Sequence, residues 1–225
     1  MVNLVVYLFM SLVHPPSPLL RGPVPLVHLL LRTLLRPGSR VVDATCGNGK
    51  DTCLLAELVG SQGHVWGLDI QSTALERTAT RLTDELRPQV TLLHGGHEHL
   101  PELVEAPLDA VIFNLGWLPG ADRNITTTTA TTLSALEGAR HMLAPAGLLF
   151  IICYPGHPEG AAEAAAVVDW CSQLPADAYF VWRMAQSNVA AEAPFTLLIQ
   201  NINSGRDGHQ DRPASVTLQS SVSVL

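Results

Sequence analysis

Lysine is almost missing from this chain: Lys50 is the only one, beside twelve arginines, and the formal net charge is −7. Such a chain is a poor general nucleic-acid binder, because affinity for phosphates comes largely from Lys and Arg. An RNA substrate therefore requires arginines gathered on one face. Two loose groups exist, Arg21/Arg32/Arg36/Arg40 and Arg77/Arg81/Arg87, and the second reads as solvated helix faces. Cysteine pairing is absent too. Cys46, Cys53, Cys153 and Cys171 form no C-x-x-C pair and no ligand spacing with histidine. Structural zinc is not expected, and a reduced, cytoplasmic protein is. No apolar run is long enough to cross a bilayer. Met1 to Val13 carries no charge, but Pro15, Pro16 and Pro18 stop it. The run also lacks the basic start and cleavage site of a signal peptide. An extra strand, a buried anchor or an upstream start codon would each account for it. With 47% apolar and 15% charged residues, a mostly disordered chain is excluded.

The 225 residues divide into an apolar extension (1–22), one domain (23–202) and a polar, Ser-rich tail (203–225) expected to be poorly ordered. Within the domain, helical periodicity over Val24–Leu35 ends at Pro37-Gly38. Then come a strand at Arg40–Ala44, a helix at Asp51–Val59, a strand at His64–Ile70 and a helix from Ser72 to about Leu86. Strands follow at Gln89–Leu93 and at Leu108–Leu115, the latter apolar enough to be buried on both faces. Thr131–Leu143 is helical, with Thr126 to Thr129 as a capping lead. Pro145-Ala146-Gly147 turns into the strand Leu148–Tyr154, and Glu159–Leu174 is an alanine-rich helix. Tyr179–Met184 and Phe195–Gln200 can pair as a hairpin. Strand and helix alternate throughout, which predicts an α/β, doubly wound, Rossmann-like sheet of about seven strands.

The chemistry concentrates at the strand ends, where such sheets bind ligands. Asp43, Gly47 and Gly49 follow the first strand, and Asp69 ends the second. A carboxylate at the second strand's end is how this fold holds an adenosine ribose. A glycine pair alone would also serve an ordinary tight turn and helix cap. The third glycine of a dinucleotide fingerprint is replaced by Thr52, so a pyrophosphate cofactor is disfavoured and a dehydrogenase is the weakest reading. S-adenosylmethionine carries an ammonium and a sulfonium, and Asp43 near the loop suits it. Asn48, Lys50 and Asp51 are further loop residues, Asp51 also favouring the helix dipole. His94, His97 and His99 share a short glycine loop that rarely supplies a whole metal site; no metal is expected, and one of them touches the adenine or caps the loop.

Asn114-Leu115-Gly116-Trp117-Leu118-Pro119-Gly120 keeps the polar-x-x-aromatic spacing with which amino-methyltransferases hold a target nitrogen and stack a planar substrate. A turn with a packed tryptophan would look the same. Asn114 cannot be a general base, so catalysis would rest on placing a neutral amine. A primary amine is mostly protonated near neutral pH, and some group must receive its proton. His157 lies where substrate would enter, although Pro158-Glu159 also makes a normal helix start.

Four segments in order, 43–52, 64–70, 114–120 and 156–160, resemble the bacterial MnmM family, earlier labelled rRNA methylases. The resemblance covers roughly Pro23 to Gln200. It implies a class I methyltransferase fold, S-adenosylmethionine, and methylation of the aminomethyl nitrogen of 5-aminomethyl-2-thiouridine at the tRNA wobble position. By the same resemblance Asp43, Gly47, Asn48, Gly49, Asp69, Ile70 and His97 contact the cofactor. Asn114, Gly116, Trp117 and His157 line the substrate pocket, with Asn114, Trp117 and His157 as the catalytic set and Gly116 also on the cofactor side. Trp117 stands where the family has tyrosine. The implied partner is the tRNA anticodon loop, gripped through a few arginines such as Arg123, with no membrane partner; oligomeric state is left open, a homodimer included. Competing readings are an rRNA or small-amine methyltransferase, and a non-catalytic S-adenosylmethionine-binding partner of another enzyme.

Overall fold

A computed structural model describes residues 19–116 and 127–203. Met1 to Val13, Trp117, Arg123 and the tail from 204 onward lie outside the described residues. Helix α1 (Pro23–Leu34) starts with proline in its first turn, where the missing N–H costs nothing, and buries Val27 and Leu31. Strand β1 (Arg40–Asp43) leads through the glycine loop into α2 (Lys50–Val59). Strand β2 (His64–Asp69), α3 (Ser72–Arg81), β3 (Val90–His94), the single turn α4 (Leu100–Leu103) and β4 (Leu108–Asn114) follow. The remainder is α5 (Thr129–Met142), β5 (Leu143–Cys153), α6 (Pro158–Ser172), β6 (Tyr179–Ala185) and β7 (Phe195–Asn201).

The seven strands form one sheet in the order β3-β2-β1-β4-β5-β7-β6. Strands β1 to β5 pair parallel, and β7 inserts antiparallel between β5 and β6, which makes the expected hairpin. Successive residues of a strand face opposite sides, so one sheet supports two cores. Val42, Val111, Phe113, Leu149 and Ile151 pack with Leu136 of α5 and Val167 of α6. Val41, Ala110, Ile112 and Phe150 pack on the other side with Val27 and Leu31 of α1 and Leu55 of α2. Both faces being covered explains the nearly continuous apolar run of β4 and β5.

Two boundaries differ from expectation for visible reasons. Helix α3 stops at Arg81, because Leu82 turns extended (φ −65°, ψ 123°) and is buried. Strand β5 begins at Leu143 rather than Leu148, since Leu143 already pairs with Leu108 before an irregular excursion rejoins the ladder at Leu148. Asn201 secures that excursion by donating its amide to the carbonyls of Leu143 (3.1 Å) and Ala144 (3.0 Å). Among the described residues, no helix is long and apolar enough to cross a membrane.

Candidate active site

The winding of the sheet reverses between β1 and β4. There, beyond the carboxyl ends of β1, β2, β4 and β5, lies a cavity of about 590 Å³, a size suited to a cofactor with part of a substrate. Of the residues assigned from sequence to the cofactor or to catalysis, eight line it: Gly47, Asn48, Asp69, Ile70, His97, Asn114, Gly116 and His157.

One end is built from the β1–α2 loop and the end of β2. Asp69 accepts the Gly47 N–H through Oδ2 (2.9 Å) and the Gln71 N–H through Oδ1 (2.9 Å). Burial raises its pKa, and these two N–H groups pull the other way. Each carboxylate oxygen keeps a lone pair for a ligand hydroxyl. Ile70 beside it is exposed, and its carbonyl is 2.9 Å from His94 Nε2, so His94 holds the turn. His97 is buried edge-on to Phe113 (5.6 Å between rings). Burial lowers its pKa, and its Nε2 has no hydrogen-bond partner among the described residues. A buried, unpartnered imidazole nitrogen at a cavity wall suits a bound polar group.

Asp43 is not at that wall. Its carboxylate is fully buried, accepting the Thr52 hydroxyl at 2.6 Å and the Thr45 N–H at 3.3 Å. Burial, with Asp51 nearby, pushes its pKa up to about 7. The expectation that Asp43 faces the cofactor's ammonium meets a carboxylate turned inward to fasten the loop. Gly49 is likewise structural. Its φ is +75°, and a Cβ there would sit 2.9 Å from Thr78 Cα. The position needs a glycine for backbone conformation and for the close approach of α3.

The other end centres on Asn114. Its backbone N–H donates to Thr45 Oγ1 (2.8 Å), and its side-chain amide donates to Asp51 Oδ2 (3.2 Å). Asp51 Oδ1 is 2.7 Å from His28 Nε2 on α1. The chain His28–Asp51–Asn114 thus fixes the Asn114 amide and leaves its carbonyl oxygen as the acceptor at the cavity wall. Tyr154, after β5, lines the same end; burial and Asp51 raise its pKa. His157 caps α6, its Nδ1 accepting the Gly160 N–H at 3.1 Å. The helix-start reading of His157 and its place on the cavity are therefore both realised.

Gly116 and Thr127 close the rim. The Gly116 N–H donates to Thr127 Oγ1 (2.9 Å), and the Thr127 N–H to the Gly116 carbonyl (3.3 Å). The Thr127 hydroxyl donates to buried Glu163 (2.9 Å), which also accepts from Thr132 (2.6 Å). His28 and Glu163 escaped sequence reasoning, and Thr127 was read only as part of a capping lead. A histidine on an amphipathic helix and a glutamate in an alanine-rich one carry no local signal, because their partners lie on other elements.

The chain matches the family model described as "Putative rRNA methylase" over residues 65–200. A protein of Arabidopsis thaliana named tRNA (mnm(5)s(2)U34)-methyltransferase, chloroplastic, is 38% identical over 159 residues, 66% of this chain and 58% of that protein. The chain thus spans less than two thirds of that relative's length. Two solved structures share its fold over about four fifths of the chain. A "putative rRNA-methylase" from Clostridium thermocellum is 36% identical with a TM-score of 0.78, covering 81% of this chain and 98% of that one. A "putative methyltransferase" from Streptococcus mutans, solved in complex with SAH, is 33% identical with a TM-score of 0.72, covering 80% and 98%. The architecture is the class I methyltransferase fold.

Proposed function

Because the chain belongs to the family described as "Putative rRNA methylase", we propose that it is a cytoplasmic, S-adenosylmethionine-dependent methyltransferase acting on tRNA. Its target is the aminomethyl nitrogen of 5-aminomethyl-2-thiouridine at the wobble position, presented by the anticodon loop. The name of the Arabidopsis thaliana relative supports the substrate. The observation that carries the reading is Asn114, its amide nitrogen held by Asp51 and its carbonyl oxygen left at the wall of the cavity that Asp69 closes at the far end.

When bound, S-adenosylmethionine supplies an electrophilic methyl group on a sulfonium. The residues of the chain do the rest. Asp69 accepts from the ribose hydroxyls, and Gly47, Asn48 and Ile70 wall the nucleoside. His97 offers its unpartnered nitrogen to a polar edge of the ligand. Asn114 accepts an N–H of the substrate amine, which points the nitrogen lone pair along one direction. His157 and the Gly116–Thr127 rim bound the opening through which the base enters. Orientation of this kind is worth several kcal/mol without any ionisable group on Asn114.

The test is nucleoside mass spectrometry of tRNA bearing 5-aminomethyl-2-thiouridine after incubation with the protein and S-adenosylmethionine. A gain of one methyl on that nucleoside is expected. Cofactor binding with no gain overturns the substrate, and the same assay on rRNA then decides whether the family description holds literally.

A further inference from the structure

We propose that His28, held by Asp51, takes the proton that the substrate ammonium must lose before its nitrogen can act. The inference rests on the amine substrate of the preceding section. The amine arrives mostly as an ammonium, whose lone pair is occupied, and Asn114 cannot remove the proton.

The other candidates at this end of the cavity are spent. His157 uses Nδ1 to accept the Gly160 N–H. Tyr154 is a neutral phenol whose pKa burial and Asp51 raise further. His97 lies at the far end, past β3 and against Phe113. His28 differs in each respect. It lines the same cavity wall as Asn114, and one carboxylate, Asp51, joins the two at 2.7 Å and 3.2 Å. Donation of Nε2–H to Asp51 fixes the tautomer in which Nδ1 carries the lone pair. No hydrogen-bond partner for Nδ1 exists among the described residues. The side chain is 31% exposed, so an imidazolium can pass its proton to water.

In the step itself, an N–H bond of the substrate ammonium breaks and its electron pair stays on nitrogen. An Nδ1–H bond forms on His28, and the proton then leaves to solvent. The ionisable groups around His28 are Asp51 and Lys50 on α2, Tyr154 and His157 on the cavity, and Arg32 on its own helix, the last paired with Glu57 at 3.9 Å. Strands β5 and β7, beneath α1, present no carboxylate and no basic side chain.

The experiment measures kcat on tRNA bearing 5-aminomethyl-2-thiouridine, with S-adenosylmethionine saturating, from pH 6 to pH 10. For the unaltered protein we expect an acid limb. His28→Gln keeps a polar side chain but cannot take a proton; it should lose about 10²-fold at pH 7 and recover as the pH passes the amine's own ionisation. A readout independent of turnover is the ¹⁵N NMR spectrum of the His28 ring. It should show the Nε2-protonated tautomer in the unaltered protein and a tautomer mixture in Asp51→Asn. Unchanged kcat in His28→Gln at pH 7, or a loss that persists undiminished to pH 10, overturns the proposal. An unaltered protein that binds S-adenosylmethionine but never turns over this tRNA overturns the substrate reading itself, and the proposal with it.

Discussion

The carboxylate of Asp69, at the end of β2, accepts the backbone N–H of Gly47, in the loop after β1, at 2.9 Å. Two adjacent strand ends are thereby locked at one distance, and the Asp69 carboxylate is positioned by the loop after β1. Asp69→Ala leaves the N–H groups of Gly47 and Gln71 without their acceptor and, on the proposed reading, removes the acceptor of the ribose hydroxyls. We expect a stability loss of about 1–3 kcal/mol and an S-adenosylmethionine affinity weaker by at least about 10²-fold. Calorimetric titration beside thermal unfolding checks both, and normal affinity would remove Asp69 from the ribose.

Asn114 is predicted to matter for turnover and not for the cofactor. Asn114→Ala should bind S-adenosylmethionine normally and lose about 10²–10³ in kcat. Asn114→Asp should fare no better, because it would set a second carboxylate against Asp51, where the amide now donates at 3.2 Å. Like charges that close must share a proton. Retained turnover in either variant would move the chemistry elsewhere.

Gly49 combines strain with crowding. Gly49→Ala sets φ +75° beside a Cβ 2.9 Å from Thr78 Cα. The left-handed backbone costs about 1–2 kcal/mol, and overpacking adds about 1–3 kcal/mol. The urea midpoint should fall by the sum; a loss no larger than the backbone cost alone would mean that α3 gives way.

Asp43 should leave a signature in the pH dependence of stability. Its folded-state pKa of about 7 lies above the ordinary 3.8. The folded state therefore holds the proton more tightly. The associated stability is fully present below the ordinary carboxylate value and is lost as the pH rises through about 7. Asp43→Asn cannot ionise, so the unaltered protein should lose stability relative to this variant between pH 4.5 and pH 8. Urea unfolding at the two pH values measures the difference; movement in the opposite sense would mean that the carboxylate is charged and stabilised in place.

Features made by neighbours in sequence were legible, and those made by neighbours in space were not. The glycine loop, the acid at Asp69 and the apolar runs of β4 and β5 are contiguous, and each stands where its pattern implied. Asp43 shows the limit. An acid before a glycine loop reads the same whether it faces a ligand or, as here, the Thr52 hydroxyl. His28 shows the other limit, because its meaning comes from Asp51, 23 residues away on another helix. Gly49 was expected at the cofactor, and what the structure shows for it is a left-handed turn pressed against Thr78 on α3.

The mutual hydrogen bonds of Gly116 and Thr127, braced by Glu163, have an evolutionary consequence. They pin together the two stumps that flank residues 117–126. The strand end and the helix start on either side are therefore held at one separation, so sequence change between them need not disturb the pocket wall behind.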